Sequence, residues 1–266
     1  MIELLIGTAD QNLTLFGLVF CTLLLLALEI GYRVGVFIKH KGWIHDKLQM
    51  SGGFVVSGML AVLAFFLATA LSIANDEYRE RQAVVLAEAN AIGSAWLIAG
   101  AQADNAGAGI QKLLETYTKV RTSAVKNAQT RDDELRIVQR TGALQNEIWA
   151  IASDIAKRTG DKLSVLLLTA LTETFDDSVS QREAFDKRIP THVARLLVIT
   201  AILTLTATGA YLGSLGNRML VMSTLLLLMF TSAVVLVADI SRPNMGHIKI
   251  SPNPLIWTLN SIQPAP

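Results

Sequence analysis

Cysteine occurs once in this 266-residue sequence, as Cys21 inside an apolar run. One cysteine excludes a disulfide within the chain and a metal cluster held by thiolates, while it leaves the redox compartment open. The sequence also contains no HExxH, GxSxG, GxGxxG or Walker motif and no Cys/His cluster. These are the short signatures of common hydrolases, nucleotide-binding folds and zinc sites. We therefore expect a protein that is not an enzyme and that holds no cofactor or metal.

An excess of either charge is absent as well. Lysine and arginine total 23 and aspartate and glutamate 22, so the formal net charge is +1. Nucleic-acid-binding proteins neutralise phosphates with clustered lysine and arginine, and without such a tract we expect no nucleic-acid partner. The N-terminus carries neither the basic flank nor the cleavage site of a signal peptide, so we expect its first apolar run to stay as a membrane anchor.

Long apolar runs dominate what the sequence does contain, since hydrophobic residues make up 52% of it. They are concentrated in four stretches, at about 13–38, 52–74, 192–212 and 219–238. About 20 apolar residues cross a bilayer as a helix, so the pattern predicts four spans of a multipass membrane protein embedded in a lipid bilayer. In the third span, Gly209 and Gly213 form a small-xxx-small pattern that permits close approach of another helix.

The second apolar stretch has no break where the lipid should end. From Gly52 to Ala74 the chain is membrane-grade, and from Asp76 to Trp96 it reads as a charged amphipathic helix without proline. A helix of this length extends about 65 Å at 1.5 Å per residue, roughly twice the hydrocarbon core. The sequence therefore predicts an all-α fold whose second span is continuous with a long extramembrane helix.

The hydrophilic insert that follows reads as helix throughout, because no strand-length period-2 alternation occurs in it. Its first helix carries a 4-3-4-3-4 spacing typical of a coiled-coil seam. The seam residues are Tyr78, Gln82, Val85, Ala89, Ile92 and Trp96. A glycine-rich loop, 100–109, is expected to end this helix. Further helices are expected at 110–128, 132–158 and 161–188, which favours an antiparallel helical bundle.

These elements predict four regions along the chain. They are a transmembrane hairpin at 1–74, an extramembrane helical bundle at 75–190, a second hairpin at 191–240 and an extramembrane tail at 241–266. Four spans place both termini and the bundle on one side of the membrane. The loop Lys39–Gln49 is basic and Arg218 lies in the other short loop, so the positive-inside rule predicts that the short loops are cytoplasmic. The bundle and both termini would then be periplasmic in a cell inner membrane.

Charged residues near the predicted membrane boundaries form two groups. Glu29 precedes Arg33 by four residues, the favourable order for a helical ion pair. That pair is either an interfacial ion pair or a functional charge within the membrane. At the opposite interface we expect an ion-pair collar. Its members are Arg79, Arg81, Arg195, Asp239 and Arg242. Asp239 should bond an arginine there, either locking span four to the long helix or forming an ion-binding ring.

Three sequence blocks, at Glu29–Gly35, Arg81–Trp96 and Asp239–Gly246, resemble the bacterial bestrophin-like family. The resemblance covers essentially the whole chain. Its most specific part is the block Glu88-Ala-Asn-Ala-Ile-Gly93, which marks Glu88, Asn90 and Gly93 as family-motif residues. Ser241 stands where the family pattern has a second acidic residue.

The resemblance implies a layout like that of true bestrophins, which are pentameric anion channels with four spans per subunit and cytoplasmic termini. Their pore neck uses bulky apolar residues at successive i, i+4 positions of the second span, a series that Phe54, Phe65 and Phe66 do not form. A pore through this span would instead depend on an apolar constriction and on a few side-chain hydroxyl groups. The pore or gate candidates are Phe65, Phe66, Thr69 and Ser72.

Two functions from different classes follow from this layout. The first is a homo-oligomeric ion-conducting pore, with the anion specified only by the resemblance. The alternative is a non-conducting membrane scaffold or sensor whose helical bundle binds a partner protein. A polar stripe along span two would discriminate them, and only Ser57, Thr69 and Ser72 contribute to one.

Overall fold

The computed structural model describes residues 12–41, 46–102, 105–127, 131–242 and 247–263. The helices are α1 Leu13–His40, α2 Asp46–Gly100, α3 Asn105–Asn127, α4 Arg131–Thr159, α5 Lys162–Asp186, α6 Thr191–Leu215, α7 Leu220–Ile240 and α8 Asn253–Ile262. The described residues contain no strand, and four helical stretches among them are long and apolar enough to cross a membrane. The predicted all-α fold class is therefore confirmed. The predicted continuity of the second span is confirmed too, because α2 runs unbroken for 55 residues.

Local capping explains where several helices begin and end. The Asn12 side chain accepts a hydrogen bond from the backbone N–H of Thr14, which caps the start of α1. Asp161 accepts from the Ser164 N–H at 2.8 Å and caps α5 in the same way. Gly216 ends α6 with φ at 78°, a left-handed conformation that glycine adopts without steric cost.

The expected loop at 100–109 is shorter than the sequence indicates. Helix α3 already begins at Asn105, and Gly107 lies within it. A Cβ at Gly107 would collide with the carbonyl oxygen of Ala99. This glycine therefore permits close approach of α3 to the end of α2, and it does not break the helix.

Backbone contacts divide the chain into two units. The membrane unit comprises residues 1–76 and 188–242, and the helical unit comprises 77–187 and 243–266. The core of the membrane unit brings α1, the first part of α2, α6 and α7 together around Phe20, Leu24 and Leu63. The tail packs with the helical unit, because Ile250 and Leu255 belong to the core of that unit.

Helices α1 and α6 pack with their backbones in close contact. A Cβ at Gly31 would overlap the carbonyl oxygen of Thr206, and one at Gly209 would overlap that of Leu28. Gly35 and Gly213 repeat this arrangement one turn further along each helix. Both helices thus contribute a glycine pair four residues apart, the pattern that allows close helix packing in lipid.

The expected seam of α2 forms part of the core of the helical unit. Val85, Ala89 and Ile92 are buried there beside residues of the neighbouring helices. Gln82 is exposed instead, and its amide donates a 3.0 Å hydrogen bond to the Tyr78 hydroxyl. Contact of Gln82 with another helix stays a prediction.

Candidate functional site

One face of α2 in the membrane unit is exposed along its whole length. Successive positions on this face follow the 3.6-residue helical repeat. We call it the α2 stripe, and it consists of Phe54, Gly58, Ala61, Phe65, Ala68 and Ser72. The opposite side of the helix carries Val56, Leu63 and Ala70, which are buried. The stripe therefore faces away from the packed core of this unit.

The composition of the α2 stripe differs from that of the other exposed membrane faces. Four of its six residues are glycine, alanine or serine, and the other two are phenylalanines exposed by 79% at Phe54 and 66% at Phe65. Helix α7 instead exposes large aliphatic side chains, as expected of a surface that contacts lipid. Small residues on a membrane helix are typical of contact with another helix or of a water-filled path. The stripe is thus less suited to contact with lipid alone than the exposed face of α7.

The four pore candidates from the sequence do not share one face. Phe65 and Ser72 lie on the α2 stripe, and Thr69 lies at its edge, where its hydroxyl donates to the Phe65 carbonyl oxygen at 2.9 Å. Phe66 lies about 100° further round the helix and packs against the core of the membrane unit. The Ser57 hydroxyl donates to the Gly53 carbonyl oxygen at 2.9 Å. Hydroxyls bonded to their own helix add little polarity to the stripe.

Phe54 belongs to the same face, although the sequence interpretation excluded an aromatic series. An i, i+4 series does not include the two rings, because Phe54 and Phe65 are eleven residues apart. Eleven residues complete about three helical turns, so the two rings project from one face about 16 Å apart. An eleven-residue spacing is the signal that would have found this pair.

The family-motif residue Glu88 lies at the centre of a buried polar network in the helical unit. Its carboxylate accepts two hydrogen bonds from Arg121, from Nε at 2.5 Å and from Nη2 at 3.2 Å. Arg121 also donates to the side-chain oxygen of Gln181 and, at 3.4 Å, to the Ser178 carbonyl oxygen. Burial lowers the pKa of Arg121, but the neighbouring Glu88 charge outweighs this and raises it above its usual value. Arg121 therefore stays charged and holds three helices together.

Tyr117 lies beside this network. Gln145 donates to its hydroxyl at 3.4 Å and to the Ser178 hydroxyl at 3.0 Å. Burial raises the pKa of Tyr117 to about 12, and the nearby Glu88 charge adds to the effect. The sequence marked Glu88 through its family block but none of these partners, because they lie on other helices far along the chain.

The remaining family-motif residues take different positions in the helical unit. Asn90 is exposed. Gly93 faces α8, where a Cβ would lie 3.8 Å from the Thr258 methyl group, and the Thr258 hydroxyl donates to the Ala89 carbonyl oxygen at 3.1 Å. The block Glu88–Gly93 thus combines a buried charge on one side with a contact surface for the tail on the other.

Arg81, a predicted member of the collar, has backbone partners that the sequence did not indicate. Its side chain is fully buried. It donates to the carbonyl oxygens of Ala184 at 3.0 Å and Lys187 at 2.8 Å, and it contacts the Glu77 carboxylate at 3.4 Å. A guanidinium among the last carbonyls of a helix satisfies acceptors that the helix itself leaves open. Arg81 therefore caps the end of α5.

The other collar residues divide between the two units. Arg79 is exposed and belongs to the helical unit, while Arg195, Asp239 and Arg242 belong to the membrane unit. Asp239 is buried there. The pairing of Asp239 with an arginine stays a prediction.

Glu29 and Arg33 are paired as the sequence predicted, at 2.9 Å, and a third residue joins them. Arg218 contacts the same carboxylate through both terminal nitrogens, at 3.0 and 3.4 Å. Its guanidinium also lies 4.4 Å from the centre of the Tyr32 ring, within the range of a cation–π contact. The short α6–α7 turn thus brings a second arginine to Glu29.

A family model described as the Bestrophin-like domain matches residues 34–255. No curated protein sequence matches the chain. Within the described residues, no group of three or more His, Cys, Asp or Glu side chains is placed to hold a metal ion.

Solved structures share the fold of this chain at low sequence identity. A crystal structure of a variant bacterial bestrophin homologue from Klebsiella pneumoniae is 17% identical, with a TM-score of 0.59, and the match covers 90% of this chain and 96% of that one. A second structure of the homologue, phased with zinc, is 17% identical, with a TM-score of 0.57 and coverage of 91% and 94%. Another variant is 19% identical, with a TM-score of 0.57 and coverage of 91% and 96%.

Proposed function

This chain belongs to the bestrophin-like family, and on that premise we propose that it is a homo-oligomeric membrane protein whose α2 stripe lines an ion-conducting pore. The observation that carries the proposal is the composition of the stripe. Its small residues contrast with the leucine, valine and methionine side chains that α7 exposes.

Several copies of α2 around one axis would give this face a function. In a closed ring the same surface of each copy faces the centre. The Phe54 side chains of all copies would then surround the axis at one level, and the Phe65 side chains would surround it about 16 Å further along. The small residues Gly58 and Ala61 would lie between these two levels. Apolar constrictions of this kind control ion flow by wetting and dewetting. Anions are the conducted species by analogy with bestrophins alone.

Planar-bilayer recording of the purified protein tests this function. Wild type should conduct, and Phe65→Ala should raise the conductance or the open probability, since it widens an apolar constriction. The matched control is Phe37→Ala, which removes an exposed phenyl ring of α1 away from the stripe and should leave the current unchanged. A reconstituted wild-type protein without current, or equal effects of the two substitutions, would contradict the proposal.

The orientation is proposed on charge alone. We place the chain in the cell inner membrane with its short loops cytoplasmic, because Lys39, Lys41 and Arg218 lie at that end of the membrane unit. With Cys21 replaced by serine, cysteines at the exposed positions Asn217 and Asp154 should react from opposite sides of intact cells. If an impermeant reagent added outside the cells labelled Asn217→Cys, the proposed orientation would be wrong.

A protein partner on the helical unit is the second candidate function. Helix α5 exposes Val165 and Leu166 next to each other near its start, and adjacent exposed apolar side chains favour contact with another protein surface. A scaffold with this partner would carry no current of its own. Bilayer recording therefore separates the two candidates as well.

A further inference from the structure

A cleft in the membrane unit combines an apolar floor with a charged rim. It lies between α1, α6 and the start of α7 and has a volume of about 180 Å³. Its apolar lining includes Leu25, Leu28 and Leu220, and its polar lining includes Glu29, Arg218 and Thr224. A cavity of about 150 Å³ is large enough for benzene. The cleft can therefore take a short length of hydrocarbon chain next to a polar group.

The charged rim has more donors than its own carboxylate can satisfy. Glu29 binds both Arg33 and Arg218. Two guanidinium groups carry ten N–H donors, whereas one carboxylate offers about four lone-pair sites. The side chain of Arg33 is 78% exposed and that of Arg218 is 51% exposed. Arg218 lines the cleft, and Arg33 binds the cleft residue Glu29 from the next turn of α1, so donors of both arginines are open to solvent beside the cleft.

The charge around the cleft is predominantly positive. At this end of α1, Arg33, Lys39 and Lys41 are accompanied by Arg218 from the turn, and Glu29 is the only acid among them. Lys39 donates to the Leu215 carbonyl oxygen at 3.1 Å, which keeps its ammonium group at the α6–α7 turn. Tyr32 adds an amphipathic ring of the kind enriched at membrane interfaces. The surface is therefore cationic where the helices leave the hydrocarbon region.

We propose that this cleft binds one anionic phospholipid of the surrounding bilayer. The headgroup phosphate lies on Arg33 and Arg218, whose planar forks match phosphate oxygens. The upper part of one acyl chain lies against Leu25, Leu28 and Leu220. An anionic lipid is preferred over a zwitterionic one because Arg33, Lys39, Lys41 and Arg218 outnumber the Glu29 carboxylate at the end of α1 and the α6–α7 turn. The lipid would bridge α1 to the α6–α7 turn.

Lipid binding can be measured by native mass spectrometry of the detergent-solubilised protein, titrated with phosphatidylglycerol or phosphatidylcholine. Wild type should retain one phosphatidylglycerol per chain and bind phosphatidylcholine much more weakly. Arg33→Gln should weaken phosphatidylglycerol binding about fivefold, the loss expected for one cation near an anionic lipid. Because Arg218 still pairs with Glu29 in this variant, the fold should persist. Lys119→Gln, an exposed cation of the helical unit, is the matched control and should bind like wild type.

A second variant tests the apolar part of the site without changing any charge. Thr224 is exposed and lines the cleft, so Thr224→Trp should fill it and abolish the bound lipid while the protein melts normally. Inorganic phosphate should fail to displace the lipid at millimolar concentration. Equal retention of the two lipids, undiminished binding by both variants, or displacement by phosphate alone would each overturn the proposal.

Discussion

Replacing Arg121 with methionine should destabilise the helical unit by about 3–5 kcal/mol, because it leaves the Glu88 carboxylate buried without its cation. Glu88 is fully buried, and Arg121 is the cation that its carboxylate contacts in the described part of the chain. For a protein of this size, about 1 kcal/mol corresponds to 2–4 °C in the melting temperature. The expected loss is therefore about 6–20 °C, measured by circular dichroism during heating in detergent.

The chain offers a matched control for this substitution. Arg158 and Asp154 form an ion pair at 2.9 Å, but both side chains are more than half exposed. Exposed pairs contribute about 0–1 kcal/mol, so Arg158→Met should lower the melting temperature by no more than a few degrees. Equal shifts in the two variants would refute the argument that burial makes the Glu88–Arg121 pair decisive.

A double replacement separates the unpaired charge from the lost contacts. Glu88→Leu combined with Arg121→Met removes both charges and keeps an apolar volume. The double variant should recover at least half of the stability lost in Arg121→Met. The rest of the loss remains because the oxygens of Gln181 and Ser178 no longer have the Arg121 donor. A double variant as unstable as the single one would show that the contacts, and not the buried charge, determine the cost.

Three further predictions concern Gly209, Tyr117 and Asp239. Gly209→Leu should prevent folding of the membrane unit, because the new side chain would overlap the α1 backbone. Gly142→Ala, which has open space around it, should fold like wild type. Size-exclusion chromatography distinguishes the two variants, and a well-folded Gly209→Leu protein would contradict the close packing. The free energy of unfolding should fall as the pH rises from 10 to about 12, because Tyr117 loses its phenolic proton in the unfolded chain and keeps it in the native one. Tyr117→Phe should make that fall shallower. An unchanged slope would argue against burial of the hydroxyl. In a double-mutant cycle, Asp239→Asn and Arg195→Ala should couple by more than about 1 kcal/mol; strict additivity, also with Arg79 and Arg81, would refute the collar.

The spans and most helices were predictable because hydropathy and helical periodicity are local properties. The start of α3 was not, since the glycines at 107 and 109 read as breakers. At Gly107 the structure shows a close approach to Ala99, a tertiary fact that residue type alone does not reveal. Among the described glycines, those that permit close backbone approach outnumber those with a positive φ.

The candidate site was predictable only in part, for a similar reason. Phe65 and Ser72 were found as an apolar group and a hydroxyl in one span, but their common face with Phe54 needs the helical phase and the burial of Leu63 opposite. Arg218 was found as a loop cation, and its contact with Glu29 depends on the turn geometry between α6 and α7. Contacts between residues far apart in the chain depend on how the helices pack, and local sequence patterns do not reveal that packing.

Cysteine modification during bilayer recording tests the pore most directly. On a Cys21→Ser background, Ser72→Cys places a thiol on the α2 stripe, and Leu228→Cys places one on the exposed aliphatic face of α7. A charged thiol reagent should change the current through Ser72→Cys and leave Leu228→Cys unaffected. An unmodified current in Ser72→Cys, with the thiol shown to have reacted, would contradict a pore lined by the α2 stripe.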